Sequence, residues 1–238
     1  MLLMKQKMMD KYTQPALVEG LLAVAKKAGA YIRKERESFS YENVEHKGFN
    51  DLVSYVDQNA ERIIVEGLSG LLPEAGFLAE EGTAEEGNQA IKWIIDPLDG
   101  TTNFVHGIPV FSVSIALEVN GVLTLGVVYE VNRDECFHAV KGQGAFLNGK
   151  AIRVSPATSL SQALIATGFP YSEFDKLPAY IHVMQFMMKN SHGLRRMGSA
   201  AVDLAYVACG RVEAYFEYNL NAYDVAAGAL LVREAGGR

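Results

Sequence analysis

Cysteine is scarce: the chain has two, Cys136 and Cys209, far apart and without histidines at ligand spacing. That excludes a disulfide-stapled scaffold and a zinc site of the usual pattern, points to a reducing compartment, and leaves both thiols as core fillers. Long hydrophobic runs are also missing. None approaches the roughly 18 residues of a membrane span, and Met1 to Met9 carries Lys5 and Lys7 without the apolar core of a signal peptide. The expected setting is cytoplasmic. Basic residues are outnumbered, 22 Lys and Arg against 28 Asp and Glu for a net charge of −6. With no stripe of Lys or Arg interleaved with aromatics, nucleic-acid binding is not expected as the main function. His46, His106, His138, His182 and His192 show no ligand spacing, so none is expected to be catalytic. No internal repeat or low-complexity stretch interrupts the chain.

What remains is an ordinary globular composition of 238 residues, 49% hydrophobic and 21% charged, enough for one large or two closely packed domains. The most informative stretch is Trp93-Ile94-Ile95-Asp96-Pro97-Leu98-Asp99-Gly100-Thr101-Thr102-Asn103-Phe104. Trp93 to Ile95 reads as a buried strand that Pro97, lacking an N–H, brings to an end just after Asp96. A turn through Gly100 can bring Asp96 and Asp99 to one centre the size of a hard-cation shell. Gly100-Thr101-Thr102 then opens a helix or tight turn whose unpaired amides suit an anion. Two unit charges about 4 Å apart repel by roughly 4 kcal/mol at an effective dielectric of about 20. A divalent cation resolves that conflict, and with all-oxygen ligands and a substrate phosphate Mg²⁺ is favoured over Mn²⁺ or Ca²⁺.

Two rival motifs fail on spacing. An EF-hand loop needs oxygen side chains where Leu98 and Gly100 stand, and in the D-x-D-G-T phosphatases the nucleophile falls at Pro97. The plainer alternative, that Asp96 and Asp99 cap a helix, stays open on the isolated pattern.

Thr13-Gln14-Pro15 starts a helix to about Glu37, Thr13 capping it, with Leu17, Leu21, Val24, Ala28 and Ile32 on one face. After Asp51-Leu52-Val53-Ser54, a second helix carries Ala60, Ile63, Ile64, Gly67 and Leu68 and is closed by Gly70. Asp57 stands at its start, as an N-cap or a functional acid. Phe77 to Ala79 is a short strand running into Glu80-Glu81, followed by a polar loop to Asn88. From Phe111 the hydrophobic period becomes two, and Asn120-Gly121 makes a hairpin turn into Val122 to Tyr129. Turns at Asn132 to Asp134 and at Asn148-Gly149 separate Cys136–Val140 from Ala151–Val154, completing an antiparallel meander. The second half alternates: strand 164–166, helix 180–188, strand 194–197, a helix capped by Ser199, strand 212–217, and a last helix starting near Asp224 and stopped by Gly236-Gly237. The expected organisation is an N-terminal α+β half, 1–155, and a C-terminal α/β half, 156–238. Arg195-Arg196, the only basic pair near the acidic stretch, is assigned to the surface or to a dimer contact.

Asp51-Leu52-Val53 with Asp57, Glu80-Glu81, Trp93 to Phe104, and Tyr223-Asp224-Val225-Ala226-Ala227-Gly228 together resemble the inositol monophosphatase family of lithium-sensitive, Mg²⁺-dependent phosphatases. The resemblance covers roughly residues 14–237. It implies a layered αβαβα sandwich of mixed α+β and α/β character, and a homodimer. It implies that Glu80, Asp96 and the backbone carbonyl of Leu98 hold a first cation, that Asp96, Asp99 and Asp224 hold a second, and that Glu80 helps to hold a third. Mn²⁺ would substitute and Li⁺ would inhibit. Asp57 and Thr101 resemble the pair that orients and deprotonates the attacking water, so that with Glu80 they form the catalytic set. Gly100 and Thr101 would hold the phosphate through their amides, with Thr102, Asp99 and Asp224 also at the substrate. Ser199, Ala200 and Glu217 resemble the wall that faces the alcohol.

The activity implied is hydrolysis of a small-molecule phosphate ester, myo-inositol monophosphate or a similar polyol phosphate, without a phosphoenzyme. Fructose-1,6-bisphosphatase or nucleotide-bisphosphate phosphatase activity is the alternative within the superfamily, and a transcription-associated regulatory role is the alternative outside catalysis. The chain departs from the family at Tyr223, where Trp is common, and at Ser54, where Thr is usual. It also stops at Arg238 where the family continues with another strand and helix, which implies either an incomplete C-terminal end or a neighbouring strand left without a partner.

Overall fold

The computed structural model describes residues 11–39, 44–48, 51–83, 87, 89–170 and 174–238, with only the backbone of 44–48 and 51–54. The expectations for Met1–Met9, for His46 as a side chain, and for most of the polar loop beyond Thr83 lie outside the described residues. Two long helices come first, α1 (Pro15–Ser38) and α2 (Tyr55–Leu71), flanking a short antiparallel pair, β1 (Val44–Gly48) and β2 (Asp51–Ser54). Pro15 takes the first turn of α1 but the capping position falls on Gln14, one residue after the expected Thr13. The expected face of α1 is the buried one: Leu17, Leu21, Val24, Ala28 and Ile32. In α2, Gly70 does not close the helix, which continues to Leu71.

The central layer is a sheet of seven strands in sequence order: β3 (Gly76–Ala79), β4 (Ile91–Asp99), β5 (Ser112–Val119), β6 (Val122–Glu130), β7 (Glu135–Val140), β8 (Gly144–Leu147) and β9 (Lys150–Ile152). β3 lies parallel to β4, and every later neighbour is antiparallel. Asn120 and Gly121 both take positive φ, 51° and 75°, which suits a two-residue hairpin whose twist matches its strands. Asn148-Gly149 turns in the same way, but it joins β8 to β9. Strand β8 is an addition to the expected meander, since the Gly-containing stretch before it reads as turn.

Side chains alternate across this sheet. Trp93, Ile95, Ile115, Leu117 and Val127 face α1 and α2, while Ile94, Ala116, Val128 and Phe137 face the other way. Each fully buried Val, Leu, Ile or Phe among them contributes about 1.5–3 kcal/mol relative to exposure. The second face is covered by α5 (Ala200–Ala208) and α6 (Ala222–Glu234) through Ala201, Ala205, Leu230 and Leu231. Helix α6 comes very close. A Cβ on Gly126 of β6 would lie 3.1 Å from the Ala227 carbonyl oxygen, so the helix backbone rests on the strand backbone.

Beyond these helices, a second sheet of order β11 (Gly193–Arg195), β10 (Leu164–Thr167), β12 (Ala214–Phe216) is wholly parallel. Helix α4 (Leu177–Asn190) covers its far side and buries only Tyr180 among its residues. The layers therefore run helices, seven-stranded sheet, helices, three-stranded sheet, helix, which is the αβαβα sandwich. The C-terminal half alternates strand and helix. Among the described residues no helix is long and apolar enough to cross a membrane.

Candidate active site

The acidic stretch occupies the end of β4. Pro97 does not end the strand. It sits in a bulge between the pairs Asp96↔Ser114 and Asp99↔Ser112, and the ladder resumes beyond it. A bulge tolerates a residue without an N–H, and it re-aims the side chains on either side. The Leu98 amide donates to Asp96 Oδ1 at 3.1 Å, holding the bulge from within. Gly100 follows with φ 97°, a conformation other residues rarely adopt, and a Cβ there would lie 3.1 Å from the carbonyl oxygens of Val110 and Gly198. This turn starts α3 (Thr101–His106). Asn103, buried in α3, donates through Nδ2 to the carbonyls of Val110 at 2.7 Å and Met197 at 2.8 Å, tying the turn to the chain before α5.

Asp57 lies in the first turn of α2 and is not its N-cap. It is buried, and the Thr101 hydroxyl donates to its Oδ1 at 2.9 Å, with the Leu98 carbonyl an alternative acceptor at 3.0 Å. Asp99 accepts at Oδ2 from the Ser199 hydroxyl at 2.7 Å and from the Ala201 amide at 2.6 Å, as Ser199 caps α5. Asp224 forms a capping box with Asn221 at the start of α6, accepting from the Asn221 amide at 2.6 Å. Glu80, just past β3, lines the same cavity as Asp96, and its charge bears on the Asp96 carboxyl.

A cavity of about 420 Å³ opens over these groups. Glu80, Asp96, Leu98, Asp99, Gly100, Thr101, Thr102, Ser199, Ala200, Glu217 and Asp224 all line it, and Asp57 stands behind Thr101. The whole expected set is thus brought to one place from α2, β4, α3, α5 and α6 and from the ends of β3 and β12. Its electrostatics are those of crowded buried acids. Burial, and then the charges of Glu80, Asp99 and Asp224, hold the Asp96 carboxyl well above the usual range. Burial raises Asp99 to about 7 against the opposing bonds from Ser199 and Ala201, and burial raises Asp224 against its bonds from Asn221.

Among the described residues no three acid, histidine or cysteine side chains already form a closed cation shell. Asp99 and Asp224 each turn one oxygen to a helix start instead. The donor set is nevertheless all oxygen, buried, and mutually destabilising when ionised, which fits a hard divalent cation.

Four residues of the site escape a reading by motif. Glu61, one turn after Asp57 and fully buried, accepts from the amides of Glu81 at 2.8 Å and Thr83 at 2.7 Å and from the Thr83 hydroxyl at 2.7 Å. It tethers the loop that carries Glu80. Arg196 lines the cavity, with its guanidinium 5.7 Å from the centre of the Phe169 ring, so it is a site residue and not simply a surface cation. Phe169 lines the cavity as well. Asp203 is buried in α5 and lines it too, and its Oδ1 has no hydrogen-bond partner among the described residues. A lone acid in the otherwise apolar run Ala200 to Ala208 is the signal that could have found it.

Burial, together with the charges of Asp99 and Glu217 and against that of Arg196, raises Asp203 to about 9. An unfolded aspartate loses its proton near pH 4, so between about pH 4 and pH 9 the folded state holds a proton that the unfolded chain has released. Stability from this group is therefore complete below pH 4 and is lost as pH rises. Asp203→Asn is expected to gain stability over the wild type by roughly 1–3 kcal/mol on going from about pH 5 to pH 8. Urea unfolding at the two pH values checks this, and parallel behaviour of the two proteins would contradict it.

Fold and site together define the class: a layered αβαβα protein with an acid-lined cavity where its two sheets approach. The profile of the inositol monophosphatase family matches residues 14–238, and the chain belongs to that family. It is 44% identical to the Nus factor SuhB of Pasteurella multocida over 217 residues, 91% of this chain and 81% of that one. It is 45% identical to the inositol-1-monophosphatase of Rhizobium meliloti over 223 residues, 93% of this chain and 84% of that one. Among solved structures, the extragenic suppressor protein suhB of Bartonella henselae superposes with a TM-score of 0.88 at 44% identity, covering 93% of this chain and 85% of that one.

Proposed function

We propose that the protein hydrolyses phosphate monoesters of polyols, myo-inositol monophosphate first among them, in a Mg²⁺-dependent reaction without a phosphoenzyme. The observation that carries this reading is the convergence of Glu80, Asp96, Asp99 and Asp224 on one cavity beside the Thr101–Asp57 hydrogen bond. Glu80, Asp96, Asp99, Asp224 and the Leu98 carbonyl would hold two to three Mg²⁺ ions. Bound there, the cation supplies neutralisation of the phosphate oxygens and acidification of water. The chain's own residues do the rest. Thr101 passes the proton of the attacking water to Asp57 as its hydroxyl hands over its own, and as the P–O bond to the alcohol breaks, the departing oxygen takes up a proton from solvent. The amides of Gly100 and Thr101 orient the phosphate, and Ser199, Ala200 and Glu217 face the alcohol.

A panel of esters (inositol 1-phosphate, a sugar bisphosphate, a nucleotide bisphosphate) assayed with Mg²⁺, with and without Li⁺, tests the reading. Fastest release from inositol phosphate, and inhibition by Li⁺, are expected. No release from any ester would end it. The name borne by the Pasteurella multocida relative favours a second reading, a role as a Nus factor. Partner capture that persists in Asp96→Asn would support that role independently of catalysis.

A further inference from the structure

The far wall of the cavity is built to a tighter specification than a surface that merely receives an alcohol. Strands β10 and β12 run side by side with Thr167 opposite Phe216, so Gly168 and Glu217 face each other just beyond the ladder. A buried clamp fixes this end. The Tyr180 hydroxyl lies 2.6 Å from the Gly168 carbonyl oxygen and 3.1 Å from that of Phe216, and the Thr167 hydroxyl donates to the Phe216 carbonyl at 2.9 Å. Between the clamped ends sits the Glu217 carboxylate. A Cβ added to Gly168 would fall 1.8 Å from Glu217 Oε2, so the carboxylate occupies the space that any other side chain at position 168 would fill. Tyr215, two residues before Glu217 on the same face of β12, donates its hydroxyl to Oε2. Gly168 and Glu217 both line the cavity.

We propose that Gly168, Tyr215 and Tyr180 form a preset seat for the Glu217 carboxylate, and that this seat makes the site selective for esters whose alcohol carries hydroxyl groups. The inference rests on the phosphatase reading above and names residues that act on its selectivity. Its chemistry is simple. An ionised carboxylate only accepts hydrogen bonds, so the ligand group it recognises must donate, as a hydroxyl does and an unsubstituted aryl or alkyl alcohol does not. A carboxylate held in one orientation before binding loses less freedom when the ligand arrives, so the benefit falls on substrate binding. Tyr215, Tyr180 and Gly168 are positioning residues here, because Glu217 alone would meet the ligand.

Two variants perturb the seat from opposite sides. Tyr215→Phe removes only the hydroxyl that steers Oε2. Gly168→Ala inserts a methyl into the space the carboxylate holds and pushes it out. Each is assayed with Mg²⁺ on myo-inositol 1-phosphate and on p-nitrophenyl phosphate, whose alcohol carries no hydroxyl. Expected is a rise of about fivefold to tenfold in KM for the inositol ester in Tyr215→Phe, and a larger rise in Gly168→Ala, with kcat/KM for the nitrophenyl ester within about twofold of wild type. Equal losses on both esters would mean that the seat only supports the fold, and no change on either would mean that it does not steer Glu217. Either result overturns the proposal. If Gly168→Ala fails to fold, Tyr215→Phe carries the test alone. Wild-type protein that releases phosphate from neither ester overturns the phosphatase reading and this proposal with it. Release from both, with selectivity unmoved in the variants, overturns this proposal only.

Discussion

Asp96→Asn is expected to lower Mg²⁺-dependent phosphate release by about 10³-fold or more, on the order of 4 kcal/mol of transition-state stabilisation, while the metal-free protein becomes no less stable. Both halves follow from one location. Asp96 is buried at the bulge of β4, where burial and the charges of Glu80, Asp99 and Asp224 all disfavour its ionised form. Asparagine keeps the side-chain oxygen that accepts from the Leu98 amide, so the bulge retains its internal bond. What disappears is a charge that the acid cluster by itself does not favour and that a bound cation needs. Phosphate-release assays over a range of Mg²⁺ concentration, alongside thermal melts in a chelator, check the two halves separately. Activity kept at the wild-type level would remove Asp96 from the mechanism. A fall in activity together with a lower melting temperature in the chelator would show that the side chain serves the fold instead.

Asp57→Asn is the second large effect, expected at about 10²–10⁴-fold in kcat with little change in KM. Asparagine at 57 can still accept the hydrogen bond from Thr101, which spans 2.9 Å, so Thr101 should stay in place. It cannot take up a proton. Thr101→Ser, which keeps the hydroxyl, should retain most of the activity, whereas Thr101→Val should resemble Asp57→Asn. Steady-state kinetics on inositol 1-phosphate separate the cases. A change confined to KM would turn the pair into a binding element and deny it proton transfer.

The parts of this site that were legible in the sequence are those where chemistry is written in consecutive letters. Asp96 to Phe104 places two acids, a glycine that must adopt positive φ, and two threonines within nine residues, and few structures other than a tight, acid-lined turn satisfy that order. The alternation from Phe111 and the Asn120-Gly121 turn likewise gave β5 and β6. Pro97 misled, because the rule that proline ends a strand has an exception at bulges, and no letter marks the bulge. Strand β1, Val-Glu-His-Lys-Gly, has too little apolar character to be seen. Glu61 was invisible for a different reason. An acid on an amphipathic helix reads as solvated, and its three donors come from a loop some twenty residues away that only the fold delivers. The seat around Glu217 depends in the same way on contacts between elements distant in sequence.

The approach of α6 to β6 through Gly126 bears on how the molecule would gain from its ligand. Asp224 begins that helix, Asp96 ends a strand of the large sheet, Glu80 follows its neighbour, and Asp57 opens a helix on the opposite face. The segment from α2 to β4 supplies three of these acids but the fourth comes from α6 on the other face, so a ligand that needs them together recognises only the chain in which both covers of the sheet have closed. Such a ligand would act as a late rivet, adding RT ln(1 + [L]/Kd) to the finished structure and nothing to its precursors.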